Sequence, residues 1–346
     1  MTKVMVTGGA GFIGSNYIRH ALRSHPDWEI WNLDKLTYAG NLANLEDVAQ
    51  DPRYHFVRGD IANAKTVDSV TNNGFDTIIN FAAETHVDRS IHSGNEFLHT
   101  NVLGTNVLLE AARHHKVKTF VHISTDEVYG DLPAGEFAKE SDSLKPSSPY
   151  AASKAAADLL VLAHVRTYGL PAMITRGTNN YGPYQHPEKM LPLFVTNLLP
   201  GKKVPVYGDG QQVRDWLHVD DHCRAIDIVL EKGNVGEIYN IGANHQPEWR
   251  NLEVTKLILD ELGMDESMIE HVTDRPGHDR RYAVEVRKIK DLGWKIQVPA
   301  EEGLRGTVRW YRDHQDWWAT TPRAAASLRL KPPLSLGGGD RRPRPQ

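Results

Sequence analysis

The chain has 346 residues, of which 40% are hydrophobic and 24% charged, with 28 Gly, 19 Pro and a formal net charge of −4. This composition is typical of a globular protein with one large or two ordinary domains, and it excludes a small disulfide-stapled fold, a fibre and a disordered chain. Six basic residues and one acid lie in Thr321–Gln346, so the rest of the chain is acidic, which argues against nucleic acid as a partner.

The cysteine content and the lengths of the apolar stretches indicate the compartment of the protein. Cys223 is the only cysteine, so no internal disulfide and no cysteine-based metal site can form, and a reducing compartment is favoured. The sequence contains no stretch of roughly 18 apolar residues, the length of a membrane span. We expect a cytoplasmic protein with no membrane partner. A Pro-, Gly- and Arg-rich segment at 319–346 is predicted to be a disordered tail.

Short apolar runs alternate with helical patterns in the N-terminal half. The runs cover residues 3–6, 30–33, 54–57, 77–81, 119–123 and 172–175. Between the first two, Ile13, Tyr17 and Ala21 recur at intervals of four residues, which predicts a helix with one apolar face. Strands separated by helices indicate βαβ units. We therefore predict an α/β fold with a Rossmann-type, doubly wound parallel sheet, which binds ligands at the carboxyl ends of its strands.

The pattern changes at about Asn179 to Pro- and Gly-rich loops. A hairpin is predicted around Gly208–Gly210, and helices are predicted near residues 252–262 and 301–313. We expect a dinucleotide-binding domain at 1–178, with a return segment near 216–243, and a smaller mixed substrate-binding lobe at 179–318.

A glycine-rich turn follows the first predicted strand and opens the first predicted helix. In the segment 7–14, Thr-Gly-Gly-Ala-Gly-Phe-Ile-Gly, the glycines allow backbone amides to approach a pyrophosphate at the helix N-terminus. Asp34 ends the second predicted strand, where a carboxylate accepts both hydroxyls of an adenosine ribose and repels a 2′-phosphate. This arrangement favours NAD over NADP, although the neighbouring Lys35 could soften the preference. Asp60 and Ile61 end the third strand and could hold the adenine.

A second set of polar residues falls where a reacting site belongs. Tyr150 and Lys154 lie four residues apart and share a helix face, so the ammonium can lower the pKa of the phenol and make it a base towards a sugar hydroxyl. Thr125, Asp126 and Glu127 directly follow the fifth predicted strand. The plainer alternatives are an accidental surface pair and a solvated acidic loop.

Several segments together resemble a known family. They are Thr-Gly-Gly-Ala-Gly-Phe-Ile-Gly at 7–14, Asp-Lys-Leu-Thr-Tyr-Ala-Gly-Asn at 34–41, Ala-Ala-Glu-Thr-His-Val-Asp-Arg-Ser at 82–90, Ser-Thr-Asp-Glu-Val-Tyr-Gly at 124–130, Asn-Asn-Tyr-Gly-Pro-Tyr-Gln at 179–185, Arg-Asp-Trp-Leu-His-Val at 214–219 and Asp-Arg-Pro-Gly-His-Asp at 274–279. From Lys3 to Trp318 the chain resembles the extended short-chain dehydrogenase/reductases and, more closely, the dTDP-glucose 4,6-dehydratase family.

The resemblance implies a specific reaction. Tyr150 and NAD oxidise C4 of dTDP-glucose, and Thr125 hydrogen-bonds the same oxygen. Glu127 then removes the C5 proton, Asp126 protonates the leaving 6-hydroxyl, and the hydride returns to C6. The products are dTDP-4-keto-6-deoxyglucose and water, so NAD is retained and the enzyme is a hydro-lyase.

The resemblance also implies two sets of binding residues. The cofactor set is Gly8, Gly11, Phe12, Ile13, Gly14, Asp34, Lys35, Leu36, Thr37, Asp60, Ile61, Ala82, Ala83, Thr85, Thr100, Tyr150, Lys154 and Asn180. The substrate set is Thr85, Thr125, Asn179, Lys189, Met190, Pro205, Tyr207, Arg214, Asn251, Asp274 and His278. Arg214 is the expected partner of the diphosphate, because guanidinium groups bind phosphate through two hydrogen bonds. The Ala-rich face formed by Ala151, Ala155 and Ala156 predicts a homodimer.

Other functions remain open from the sequence. An NAD-dependent nucleotide-sugar 4-epimerase, or a 4,6-dehydratase for another nucleotide, would share the fold, but epimerases need not carry the Thr-Asp-Glu triplet. A non-catalytic dinucleotide-sensing protein is a third possibility. His218 and His222 with the acids between them offer metal ligands, but helix capping by Asp220 or Asp221 explains the segment better, and no metal is predicted. Cys223 is expected in the core.

Overall fold

The computed structural model describes residues 1–321, so most of the predicted tail lies outside the described residues. The strands are β1 Thr2–Thr7, β2 Trp28–Asp34, β3 Tyr54–Arg58, β4 Thr77–Asn80, β5 Thr119–Thr125, β6 Ala172–Gly177, β7 Asn179–Tyr181, β8 Val204–Tyr207, β9 Val213–Arg214, β10 Trp216–His218, β11 Ile238–Ile241, β12 Trp249–Arg250 and β13 Ile269–Val272.

The helices follow the strands in alternation through the first half. They are α1 Phe12–Ser24, α2 Ala64–Thr71, α3 Val87–His92, α4 Asn95–Phe97, α5 Thr105–His114, α6 Pro149–Tyr168, α7 Met190–Leu198, α8 Val219–Lys232, α9 Asn251–Glu261, α10 Arg287–Asp291, α11 Ala300–Asp313 and α12 Gln315–Thr320. A π-helical segment, Leu98–Gly104, joins α4 to α5, and a 3₁₀ segment, Asp126–Tyr129, follows β5. Among the helices of residues 1–321, none is long and apolar enough to cross a membrane.

Seven strands form one parallel sheet in the order β11-β6-β5-β4-β1-β2-β3. From the β3 edge, the first six strands therefore run in the order 3-2-1-4-5-6, which is the order of a dinucleotide-binding fold. This confirms the predicted doubly wound α/β architecture. All six apolar runs of the N-terminal half are strands of this sheet.

The central strands read as continuous apolar runs because both faces of the sheet are covered. On β1, Val6 packs in a cluster with Ile18 of α1 and Val229 of α8, whereas Met5 belongs to a cluster on the other face with Leu109 of α5 and Val161 of α6. Alternating side chains of one strand thus enter two cores. The carboxyl ends of the strands stay open between these layers.

The C-terminal region has a third core of its own. Helices α7, α9 and α11 pack together and bury apolar side chains such as Phe194, Ile258 and Leu304. The helices predicted at 252–262 and 301–313 are confirmed as α9 and α11. The segment 216–243 returns to the sheet domain, because α8 packs on α1 and β11 pairs with β6.

The predicted hairpin around Gly208–Gly210 is wrong. The turn itself exists, and both glycines have positive φ, +55° and +69°. However, β8 pairs in parallel with β13, and β9 pairs antiparallel with β12, so the turn connects strands of two different sheets. A local turn signal cannot show that the partner of each strand comes from a distant part of the chain.

Candidate active site

A cleft runs along the carboxyl ends of β1, β2, β4, β5 and β6, where the parallel strands leave their last backbone groups open. The glycine-rich turn forms one end of it, and the Thr125–Glu127 triplet, Tyr150 and Lys154 form the other. The sequence motifs that were separated by more than a hundred residues therefore line one continuous cleft.

The glycine-rich turn leaves no room for larger residues. A Cβ on Gly14 would lie 2.5 Å from the Gly8 carbonyl oxygen, and one on Gly8, whose φ is +67°, would lie 2.7 Å from Ala82. Gly11 is the N-cap of α1 and supplies no side-chain hydrogen bond, and the first turn of α1 carries no acid. The first amides of α1 are thus available to an anion, as a dinucleotide pyrophosphate requires.

Asp34 is held at the end of β2 by backbone amides. Its two carboxylate oxygens accept hydrogen bonds from Ala10 N at 2.9 Å and from Leu36 N at 2.7 Å. Burial nevertheless raises the pKa of Asp34. Lys35 pairs with Asp60 at 2.8 Å rather than with a group across the cleft. These two carboxylates fit the ribose and adenine end of a dinucleotide.

The structure brings nearly all predicted cofactor residues together. Gly8, Gly11, Phe12, Ile13, Gly14, Asp34, Lys35, Thr37, Asp60, Ile61, Ala82, Ala83, Thr85, Thr100, Tyr150, Lys154 and Asn180 line the cleft. Leu36 does not line the cleft. Its backbone has a φ of +55°, and its amide donates a hydrogen bond to Asp34.

Two carboxyl groups follow β5, that of Asp126 buried and that of Glu127 partly buried. Asp126 begins the 3₁₀ segment, and the Thr125 hydroxyl donates to its Oδ1 at 3.2 Å and accepts from Glu127 N at 3.3 Å. Burial and the adjacent Glu127 raise the pKa of Asp126 to about 8. Burial also raises the pKa of Glu127, while the cationic side chains of Arg275, Lys189 and Arg214 lower it.

The phenol of Tyr150 is buried in the cleft beside the two acids. Burial and the nearby Glu127 carboxylate raise the pKa of Tyr150 well above its usual value, and a hydrogen bond from Thr125 acts in the opposite direction. Lys154 lies one helical turn further along α6, and its Nζ donates to the Ile123 carbonyl oxygen at 2.7 Å. The lowering of the phenol pKa by the ammonium stays a prediction.

The predicted substrate residues fall into two groups. Thr85, Thr125, Asn179 and Lys189 line the cleft, and Lys189 Nζ donates to the Thr85 carbonyl oxygen at 2.9 Å. The others belong to the C-terminal region and do not line the cleft itself; they are Met190, Pro205, Tyr207, Arg214, Asn251, Asp274 and His278.

Arg214 has no acidic partner among the described residues in contact with it. Its guanidinium donates to the backbone carbonyl oxygens of Asp279, at 2.9 Å, and Val213, at 2.7 Å, and it lies 4.3 Å from the centre of the Tyr282 ring. Its positive charge lowers the pKa of both Asp126 and Glu127. A buried cation placed so near two acids suits an anionic substrate group.

The Asp274–His278 segment is fixed by a small network. His278 Nδ1 lies 2.6 Å from Asp274 Oδ1, and Gln212 Nε2 donates to Asp274 Oδ2 at 2.9 Å. Tyr207 packs edge-on against His278. Asn251 begins α9, and its side-chain oxygen is buried without a hydrogen-bond partner. These residues form a second polar cluster, in the C-terminal region.

Six polar residues of the cleft were not predicted to bind cofactor or substrate. They are Glu84, Thr178, Gln185, His186, Glu188 and His222. Gln185 lies within the 179–185 motif, which was a usable signal. His222 reaches the cleft from α8 and contacts Asn180 Oδ1 through Nδ1 at 2.9 Å, a contact that no local pattern shows.

The capping explanation for the 218–222 segment needs correction. His218 is the N-cap of α8, and its side chain accepts from Asp220 N at 3.2 Å. Asp221 instead accepts from the backbone amides of Gln297 and Val298. Cys223 is buried in α8, as predicted.

Comparison with known proteins places these features in a family. The family model described as GDP-mannose 4,6 dehydratase matches residues 5–307. The chain belongs to this family. It is 53% identical over 321 residues to the dTDP-glucose 4,6-dehydratase of Streptomyces niveus, which covers 91% of this chain and 94% of that relative.

Solved structures of similar enzymes have the same fold as this chain. The dTDP-glucose 4,6-dehydratase DesIV of Streptomyces venezuelae, crystallised with NAD bound, superposes with a TM-score of 0.90 at 52% identity, covering 93% of this chain and 100% of that chain. A UDP-glucose 4-epimerase of Thermus thermophilus, in complex with NAD, gives 0.83 at 31% identity, covering 90% and 100%. The resemblance predicted from the motifs is confirmed.

Proposed function

We propose that this chain is a dTDP-glucose 4,6-dehydratase that converts dTDP-glucose to dTDP-4-keto-6-deoxyglucose and water. The observation that carries this proposal is the pair of adjacent carboxyl groups, Asp126 and Glu127, in one cleft with Tyr150 and Lys154. A simple dehydrogenase or epimerase needs only a base for the sugar hydroxyl. An acid and a base beside it are what the removal of water requires.

The residues of the cleft fit NAD. The uncapped start of α1 would hold the pyrophosphate, Asp34 the adenosine ribose, and the small residues Ala82 and Ala83 would let the dinucleotide pass close to the backbone. When bound, NAD supplies the acceptor for two electrons from sugar C4 and returns them to C6.

Each side chain of the reacting site has one proton to move. Tyr150 takes the proton of the 4-hydroxyl, and the Thr125 hydroxyl, which favours the phenolate, supports it. Once C4 is a ketone, Glu127 removes the acidic C5 proton as the C5–C6 bond becomes double. Asp126 donates its proton to O6, the C6–O bond breaks, and water leaves. Glu127, whose carboxyl proton exchanges with solvent, then protonates C5, and one proton passes from Tyr150 to Asp126 to restore both groups.

The environments of the two acids suit these different roles. Asp126 has a pKa of about 8, so at neutral pH it carries the proton that the leaving hydroxyl needs. Burial raises the pKa of Glu127 as well, but the positive charges of Arg275, Lys189 and Arg214 oppose that rise and favour its carboxylate form. These charges support the acceptor role for Glu127 next to the donor role for Asp126.

The test is an assay of dTDP-, UDP- and GDP-glucose side by side, with keto-sugar formation as the readout. We expect keto-sugar from dTDP-glucose at the highest kcat/KM. With sugar labelled by deuterium at C4, the label should appear at C6 of the same molecule. Formation of dTDP-galactose would support the epimerase instead, and no turnover of any sugar would support a non-catalytic role.

The glycine turn gives a prediction about the cofactor. In Gly14→Ala the new Cβ would lie 2.5 Å from the Gly8 carbonyl oxygen, so the turn must move. We expect the purified variant to retain at least tenfold less NAD than the unaltered chain, measured by release of the dinucleotide on denaturation, and to unfold at a lower temperature.

A matched control for Gly14→Ala is Gly306→Ala in α11. The nearest atom to its added Cβ, in the Arg309 side chain, lies 3.8 Å away. It should bind NAD normally and gain roughly 0.5–1 kcal/mol of stability, because glycine is unfavourable inside a helix. Normal NAD retention by Gly14→Ala would contradict the proposed site.

We also propose a homodimer, through a different face of α6 from the one expected. Ala151 and Ala155 are buried inside the protomer and are not available to a partner. The exposed stripe of α6 instead contains Ala152 and Leu159, and Leu159 is 59% exposed. Leu98 and Leu103 are exposed on the adjoining π-helical segment, which packs on α6. Exposed leucines on adjacent helices favour a second copy as the partner.

The dimer proposal predicts that Leu159→Glu dissociates the protein. Light scattering on a sizing column at micromolar concentration should give a dimer for the unaltered chain and a monomer for the variant. Leu42→Glu, on a leucine that is 44% exposed outside these helices, is the control and should remain dimeric. A folded Leu159→Glu variant that remains dimeric would exclude this face.

The expected domain limits and compartment also remain proposals. Separate apolar clusters in the sheet domain and around α7, α9 and α11 support a division near residue 178, with 216–243 returning to the first domain. A single buried cysteine supports a reducing compartment such as the cytoplasm.

A further inference from the structure

Helix α6 carries a third polar residue in line with the two that were predicted. Tyr150, Lys154 and Asp158 recur at intervals of four residues and therefore share one face of the helix. Asp158 is 0% exposed, and no step of the proposed reaction uses it. Acidic side chains are almost never fully buried unless they are paired, so its partners identify its role.

One oxygen of Asp158 is held by a buried arginine. Arg176 of β6 is 2% exposed, and its Nε donates to Asp158 Oδ2 at 2.9 Å. A second nitrogen of the same guanidinium donates to the Tyr129 hydroxyl at 2.8 Å, and that hydroxyl donates to Asn240 Oδ1 at 2.8 Å. The carboxylate is thus anchored to β6 in a fixed orientation.

The other oxygen of Asp158 lies near a buried histidine of β5. Asn80 Nδ2 lies 3.2 Å from His122 Nδ1, and Asn80 Oδ1 accepts from the Thr7 hydroxyl at 2.6 Å. Burial lowers the pKa of His122, so the ring is neutral.

His122 Nε2 lies between Asp158 and Lys154. It is 3.7 Å from Asp158 Oδ1 and 3.4 Å from Lys154 Nζ. Lys154 Nζ also donates to the Ile123 carbonyl oxygen. The lysine, the histidine and the carboxylate therefore form one packed group next to Tyr150. Asp158 is the anion of that group.

We propose that Asp158 is a positioning residue that keeps Lys154 as an ammonium beside Tyr150, with Arg176 fixing the carboxylate. The inference rests on the proposed function, since it assigns the charge state of the lysine in that reaction. It extends the Tyr-x-x-x-Lys pair to Tyr-x-x-x-Lys-x-x-x-Asp. An ammonium at this position stabilises the phenolate that forms when the substrate is oriented for oxidation.

The charges around Lys154 support this role. Burial lowers the pKa of Lys154, and Asp158 acts in the opposite direction, which together leave the pKa at about 8. The other groups facing the site are neutral His122 from β5, Arg176 from β6 and Tyr150 on α6 itself. Without the Asp158 charge, the pKa of Lys154 would be lower still.

The competing explanation is that Asp158 only neutralises Arg176. A buried cation left without its partner is strongly destabilising, whatever happens at the active site. Loss of activity in one variant would therefore not distinguish the two explanations. The difference lies in the pH dependence of Lys154 and in a second variant that removes the arginine as well.

The first variant is Asp158→Asn, which keeps the shape and removes the charge. The measurement is the single-turnover rate of C4 oxidation, followed by the absorbance of reduced nicotinamide between pH 6 and 9.5 with NAD and dTDP-glucose. This step precedes proton donation by Asp126. We expect the alkaline midpoint to fall by about one pH unit or more, with KM changed less than about twofold.

The second variant is Asp158→Asn combined with Arg176→Met, which removes both buried charges and should restore the unfolding temperature. If Asp158 positions Lys154, the midpoint stays at the lowered pH although the fold is restored. If its role is only structural, both the stability and the original midpoint return, and the proposal is wrong. Asp227→Asn, on a buried acid paired with His20 and His25 outside the cleft, is the control and should leave the midpoint unchanged.

Lys154 can also be titrated without turnover. In protein with ¹³Cε-labelled lysine, the resonance of Lys154 is the one missing from Lys154→Arg, and its shift with pH gives the midpoint directly. An unchanged Lys154 midpoint in Asp158→Asn overturns the proposal. If the unaltered chain fails to oxidise dTDP-glucose, the proposed function fails instead, and the lysine titration still decides the effect of Asp158 on Lys154.

Discussion

Glu127→Gln is expected to separate the oxidation of the sugar from the removal of water. The amide keeps the size of the side chain but cannot accept the C5 proton, whereas the atoms that act on the 4-hydroxyl are unchanged. A positioned acid or base contributes about 10²–10⁴ in rate, so keto-sugar release should fall by that factor. Reduced nicotinamide should still form when dTDP-glucose is added.

The decisive measurement for Glu127→Gln is hydrogen exchange at C5. In D₂O the unaltered enzyme should place deuterium at C5 of the product, and the variant should leave C5 of the bound or recovered sugar unexchanged. Glu110→Gln, which changes a half-exposed acid paired with Arg113 on α5, controls for loss of a carboxylate elsewhere and should retain full turnover. Release of water at the normal rate by Glu127→Gln would remove this residue from the role of base.

The dinucleotide end of the cleft was predictable because its signals are local. The strand, the glycine turn, the helix and Asp34 occur in order within the first 34 residues, and each has a direct physical reason to be there. The same is true of the six apolar runs, since strands buried on both faces appear as continuous apolar segments. Their assembly into one parallel sheet follows from the alternation with helices.

The substrate side was less predictable because its contacts are not local. Arg214 is held by the backbone carbonyl oxygen of Asp279, 65 residues further along the chain. His222 reaches the cleft from α8, which follows the N-terminal sheet strands by more than 40 residues of loops and short elements. The raised pKa of Tyr150 follows from its burial and from Glu127, and the partner of Lys154 Nζ is the Ile123 carbonyl oxygen; the four-residue spacing fixes neither. Sequence spacing gives the shared helix face, but the hydrogen-bond partner depends on the packing of β5 against α6.

Asp126→Asn should give the second large effect, on the departure of water. Asp126 has a pKa raised to about 8, so it holds its proton below that pH and loses it as the pH rises through 8. The rate of elimination in the unaltered enzyme should accordingly be constant at lower pH and decline above about 8. The asparagine cannot supply a proton at any pH, so elimination should be slower by about 10²–10⁴.

A change of leaving group tests the same assignment from the substrate side. A dTDP-glucose analogue with fluorine in place of the 6-hydroxyl loses fluoride, which departs without needing the proton of an acid. Asp126→Asn should therefore process this analogue at close to the unaltered rate, while Glu127→Gln should remain slow because the C5 proton must still be removed. Asp209→Asn, on an exposed acid paired with Arg280, is the control and should be normal with both sugars. If the fluoro-sugar does not rescue Asp126→Asn, Asp126 acts before the loss of the C6 substituent, and its assignment as the acid at O6 is wrong.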